Sequence, residues 1–138
     1  MPAGPVSHVR CDMRDYRRLA VAVEAQSLAV AMYAATAGFP ASERYGLAAQ
    51  MRRAAVSVAS NIAEGCGRGG EREFLHFLYV ALGSASELAI QVDLAIALEL
   101  ISTIDGVPLA DRVNHVQRML NRFTASRRRT VSRPRPVS

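Results

Sequence analysis

Apolar residues recur at sums of three and four along most of this chain, the spacing of helices that each bury one face. Leu19, Val23, Val30, Ala34 and Ala37 give one such stripe. It belongs to a first helix that starts near Tyr16 and is terminated by Gly38 and Pro40. Ser42 then serves as N-cap of a second helix, with Glu43 in the first turn, where a negative charge suits the macrodipole. Its apolar stripe is Leu47, Met51, Ala54, Val58 and Ile62; Gln50, Arg53, Ser57, Asn61 and Glu64 form a polar line, Arg52 lies beside it, and Gly65 closes the helix. A third helix over 71–100 would be about 45 Å long at 1.5 Å per residue. From Phe74 to Leu98 its apolar residues surround nearly the whole circumference, more than one bundle seam can cover. A second buried face is implied, and it is either the inside of a monomer or a subunit interface. After a loop from Ser102 to Gly106, Pro108 opens a fourth helix with a packing stripe of Leu109, Val113, Val116, Leu120 and Phe123. Arg112, His115, Arg118 and Arg122 occupy its opposite side.

These elements predict an all-α fold, an antiparallel up-down four-helix bundle. The 138 residues suit one domain with one core, half of them are apolar, and the absence of Trp with 6% aromatics disfavours a sheet. The expected organisation is a flexible lead-in over 1–15, a bundle over 16–126 and a disordered Arg-rich tail over 127–138. Glu87, Asp93 and Glu99 interrupt the longest apolar stretch, so no membrane partner is expected. The start lacks the charged and apolar regions of a secretory signal, which makes the cytoplasm the expected location. Cys11 and Cys66 stand outside any CxxC pattern and read as thiols in a reducing compartment.

The net charge of +5 changes the picture once it is located. Acidic and basic residues balance over 1–126, and Arg127, Arg128, Arg129, Arg133 and Arg135 carry the excess. Together with Arg118 and Arg122 they are candidate nucleic-acid contacts. Arg52 and Arg53 have two readings: Arg53, with Asn61 and Glu64, forms hydrogen-bonded pairs at a helix or subunit interface, or both arginines meet phosphate. All 17 basic residues are Arg, which codon bias in a GC-rich genome explains by itself, although Arg also pairs bidentately with phosphate.

Catalytic chemistry finds little support. His8, His76 and His115 lie on separate segments without an HExxH pattern. His76 follows Glu73 at the spacing of a di-iron bundle, but a second such pair is missing. The glycine-rich run from Gly65 to Gly70 follows a helix and lacks the GKS or GKT of a P-loop, so it reads as an interhelical turn. No enzymatic activity, metal or cofactor is expected.

Two stretches carry a resemblance: FPASERYGLAAQMRRAAVSVASNIAEGCGRG from Phe39, and EFLHFLYVALGSASEL from Glu73. They resemble the four-helix-bundle proteins encoded by intervening sequences of bacterial 23S rRNA genes. Tyr45-Gly46-Leu47, Gln50-x-Arg52-Arg53-Ala54, Asn61-Ile62-Ala63-Glu64-Gly65, Glu73-Phe74 and Gly83-Ser84 with Glu87-Leu88 are similar to the family's runs in order and spacing. The likeness covers about 16–101 and is only generic in the fourth helix. At Ala22 the family often has a large aromatic residue, and the Arg-rich tail lies outside the shared pattern.

The resemblance implies a homopentameric barrel with a central channel, associated with nucleic acid. Related bundles are accessory proteins of diversity-generating retroelements, where they bind the reverse transcriptase and its RNA. The expected function is a non-catalytic, oligomeric, RNA-associated nucleic-acid-binding protein. The alternative is a protein-interaction scaffold, such as a reverse-transcriptase accessory subunit. Asn61, Glu64, Gly65, Gly83 and Glu87 are then motif residues of structural weight, and Gly83 with Ser84 would permit close helix approach.

Overall fold

The computed structural model describes residues 15, 16 and 19–132. Four helices account for most of them: α1 (Ala20–Thr36), α2 (Leu47–Gly67), α3 (Glu71–Ala97) and α4 (Thr103–Ser132), with a 3-10 turn over Ala41–Glu43 between the first two. Among the described residues there is no strand. Residues 1–14 of the lead-in expected over 1–15, and Arg133 and Arg135, lie outside the described residues.

Neighbouring helices run antiparallel. The end of α2 meets the start of α3, where Gly65 lies against Phe74 and Phe77. Ser57 of α2 and Ser84 of α3 share a 2.8 Å hydrogen bond midway along the pair. Arg127, late in α4, reaches Glu71 at the start of α3. Arg112 of α4 donates to Ser27 of α1 at 2.7 Å, which closes the ring of four. α2 and α4 each pack on both α1 and α3, and α1 with α4 is the least intimate of the four seams.

The core runs the length of this ring. Met32, Met51, Val58, Ile62, Phe74, Leu78, Leu88, Val92, Val113 and Leu120 are fully buried. Phe74 and Phe123 meet edge to face at 5.7 Å, an arrangement worth about 1 kcal/mol beyond the area it buries. The sequence stripes of α2 and α4 point into this core.

The stripe assigned to α1 does not. Its buried residues are Val21, Ala22, Ala25, Leu28, Met32 and Thr36, whereas Val23, Val30, Ala34 and Ala37 face outward. Between Ala25 and Ala37 this helix has no charged residue, so two apolar faces compete and spacing alone cannot choose between them. Ala22, the position at which the resembled family often has a large aromatic residue, is buried in the core.

Several boundaries also differ from expectation. Ser42 caps nothing; Glu43 accepts the Leu47 N–H at 3.1 Å and caps α2 from within the preceding turn. α2 runs past Gly65 to Gly67, and Gly69, at φ +82°, makes the turn into α3. Gly65 is instead a close-approach residue, since a Cβ there would lie 2.9 Å from the Phe74 ring. α3 ends at Ala97 rather than at 100, because Glu99 adopts φ 59° while the Leu100 and Glu99 N–H groups donate back to Ala95 and Ile96. That is a Schellman closure built without its usual glycine. α4 starts five residues before Pro108, with Ser102 Oγ accepting the Asp105 N–H as N-cap.

The tail is the largest change. The expected disordered segment from 127 is helical through Ser132, where Arg127 lies over the Phe74 and Phe123 rings and pairs with Glu71.

α3 is, by length and composition alone, apolar enough to cross a membrane. That apolarity has two sources. Phe74, Leu78, Leu88 and Val92 line the bundle core, and Val80, Ile90, Leu94 and Leu98 face outward.

Candidate nucleic-acid interface

α4 is the element that organises the basic residues. Its apolar stripe from Leu109 to Leu120 locks its rotation against α1 and α3, and this fixes which side chains point away. His115, Arg118, Arg122 and Arg129 are all exposed and follow one another by three, four and seven residues. They therefore lie on one line of the helix. At 1.5 Å per residue, Arg118 and Arg122 are separated by about 6 Å along the axis and Arg122 and Arg129 by about 10 Å. Guanidinium groups at such intervals, on a helix rigid enough to hold them, can track successive phosphates of a nucleic-acid strand.

The remaining arginines sort differently. Arg127, whose side chain is 17% exposed, stands 3.5 Å from Glu71 Oε1 and is committed to the α3–α4 seam. Arg128 leans toward α3, with Nη1 donating to the Tyr79 hydroxyl at 3.5 Å. Arg112 is occupied by Ser27.

On α2 the two arginines part company. Arg52 donates from Nε to Thr36 Oγ1 at 2.7 Å and from Nη2 to the Tyr33 carbonyl at 3.2 Å, and its guanidinium lies 4.6 Å from the centre of the Tyr33 ring. It closes the C-terminal end of α1, where a positive charge complements the macrodipole. Arg53 is exposed on the outer side of α2 and is not brought together with the α4 line.

The polar motif residues are organised within and between helices. Asn61 Nδ2 donates to the Ser57 carbonyl and to Ser57 Oγ, which in turn bonds Ser84, so one small network ties α2 to α3. Glu64 pairs with Arg68 one turn on, at 2.8 Å. Glu87 accepts from the buried Gln91 amide at 3.1 Å. Gly83 faces outward, and a Cβ built on it would meet nothing within 4 Å, so the close approach expected there is not made within this chain.

Among the described residues no cluster of three or more His, Cys, Asp or Glu side chains is placed to hold a metal ion. Sequence reasoning missed Tyr79 as the partner of Arg128 and Glu71 as the partner of Arg127; both contacts join residues about fifty positions apart.

A family model described as 23S rRNA-intervening sequence protein matches residues 17–122, which takes in most of α4 as well as the first three helices. No curated protein matches the chain. Among solved structures, the chain is similar to a protein with unknown function from the S23 ribosomal protein family of Bacteroides thetaiotaomicron VPI-5482. The TM-score is 0.68 at 20% identity, and the alignment covers 75% of this chain and 97% of the other. At that identity the likeness establishes the fold.

Proposed function

Since the chain belongs to the 23S rRNA-intervening sequence protein family, we propose that it is a non-catalytic, oligomeric, cytoplasmic protein that binds RNA through the sugar-phosphate backbone. The observation that carries this reading is the outward line of His115, Arg118, Arg122 and Arg129 on α4. It offers charge at regular intervals and no exposed aromatic platform for stacking bases along it, which favours backbone contact with little sequence preference. The pentameric barrel implied by the resemblance is the finer form of this proposal, and several copies of a weak line would bind more tightly together than alone.

The test uses the full chain with Arg118, Arg122 and Arg129 replaced by Gln. Fluorescence anisotropy with a labelled RNA should show binding weakened by at least tenfold, while a chain ending at Ser132 should lose less. Ending the chain at Ser126 would be a poor test, because it also removes the Arg127 packing. Undiminished binding by the triple variant would overturn the proposal.

A second reading has an observation of its own. The exposed apolar residues Tyr45, Val56 and Ile104 suit a protein partner, as in a scaffold for a reverse transcriptase. Binding of RNA only when such a partner is present would favour it.

A further inference from the structure

The turn that joins α1 to α2 encloses a cavity of about 370 Å³, away from the basic line of α4. Thr36 ends α1, and the Phe39 N–H donates back to the Thr36 carbonyl at 3.1 Å, which tucks Phe39 under the turn, where it is buried. Pro40 stops any continuation of α1, and the Glu43 and Arg44 N–H groups close the 3-10 turn on the Pro40 and Ala41 carbonyls. Between this turn and the first two turns of α2, Ala37, Phe39, Pro40 and Ala48 supply apolar wall, and Arg44 and Arg52 bring charge to the lining. The volume falls within the range of small-molecule sites, about 300–1,000 Å³.

The two arginines differ in what holds them. Arg52 is fixed by its bonds to Thr36 Oγ1 and the Tyr33 carbonyl and by the Tyr33 ring beneath its guanidinium. A guanidinium carries five N–H groups, and these two bonds leave three of them. Arg44 is exposed, with its guanidinium 5.9 Å from the centre of the Tyr45 ring. Among the described residues neither arginine is within ion-pair distance of a carboxylate. The C-terminal end of α1 carries about half a negative charge, which opposes an anion. Two full positive charges outweigh it, and Arg52 and the Ala37 N–H already cover the Tyr33 carbonyl.

We propose that this cavity binds a small organic acid, with its carboxylate on Arg44 and Arg52 and its apolar body against Phe39, Pro40 and Ala48. A planar carboxylate accepts parallel N–H bonds from a guanidinium, which inorganic phosphate can also do. Phosphate, however, has no apolar body and leaves the walls wet. A neutral molecule of the same shape displaces water from two arginines and gives them no counter-charge. Because Arg52 is already held in place, binding has little to order on that side of the cavity. Neither arginine belongs to the α4 line, so the site stands whether or not the protein binds RNA.

The experiment titrates the full chain, labelled with nitrogen-15, with benzoate, hexanoate, benzamide and inorganic phosphate, and follows the amide resonances. Benzoate or hexanoate should shift Ala37, Ala41 and Ala48 in a saturable way, while benzamide and inorganic phosphate should bind at least tenfold more weakly. Arg44→Gln should weaken binding of the acids at least tenfold with an unchanged melting temperature. Ala41→Leu, an exposed residue at the cavity wall, should also weaken benzoate, although both arginines remain. The absence of a saturable shift with either acid would overturn the proposal, as would inorganic phosphate binding as tightly as they do. Unchanged affinity in Arg44→Gln would count equally against it. A short peptide with a free C-terminal carboxylate that binds more tightly than either acid would replace it with a docking site for a protein terminus.

Discussion

α1 and α4 meet along the loosest seam of the bundle, and their outward faces are opposites. From Ala25 to Ala37, α1 shows solvent no charge at all, while α4 shows it His115, Arg118, Arg122 and Arg129. Both helices bury a comparable stripe on the inside, so the difference is not a demand of the fold. An uncharged outer face is what a helix has when a protein surface covers it; a line of guanidinium groups is what it has when water or phosphate does. The molecule thus separates an uncharged outer face and a basic one onto different corners.

Substitutions can break that separation or sharpen it. The largest effect should come from within α3, by setting its two faces against each other. Leu88→Ala, in the core, should cost about 2–5 kcal/mol in urea unfolding, whereas Leu94→Ala should stay within about 0.5 kcal/mol for the monomer and act on assembly mass. Next, Arg127→Gln should lower stability by about 1 kcal/mol through loss of its ring contacts and partly exposed ion pair, with little effect on RNA binding. Arg129→Gln should do the opposite, leaving the melting temperature in place and weakening binding. Glu99→Gly should raise stability by about 1 kcal/mol, since glycine accepts the left-handed conformation at the end of α3 without strain. Gly83→Ala should stabilise the isolated monomer by up to about 1 kcal/mol and weaken the assembly, two signs that unfolding and sedimentation can read separately.

How much of this was legible in the sequence follows the same division. α2 could be read correctly, because Leu47, Met51, Ala54, Val58 and Ile62 alternate with a polar line and only one face can be the core. α1 could not, because its outer line is as apolar as its inner one; Val23 and Val30 have the right spacing and the wrong side. The excess apolarity of α3 was visible, but whether it lay inside the monomer was not, and the outward positions of Ile90, Leu94 and Leu98 answer that. On α4 the basic side was readable up to Arg122. Its continuation to Arg129 was hidden, because the run of arginines resembles an unstructured tail until Glu71, Phe74 and Phe123 are seen to hold Arg127 across the bundle. Gly65 and Gly83 could both be marked as positions that matter, but that Phe74 packs on Gly65 while nothing in the chain packs on Gly83 could not be read from the chain alone.

The central claim is that the outward line of α4 is the phosphate contact, and the dependence of RNA affinity on salt tests it most directly. Each phosphate neutralised on a single strand contributes about 0.7 to the slope of log affinity against log salt concentration. Replacing Arg118, Arg122 and Arg129 with Gln in the full chain should therefore make the slope shallower by about 2 per copy engaged. A slope equal to that of the unaltered protein would mean that the arginines of α4 do not touch the RNA.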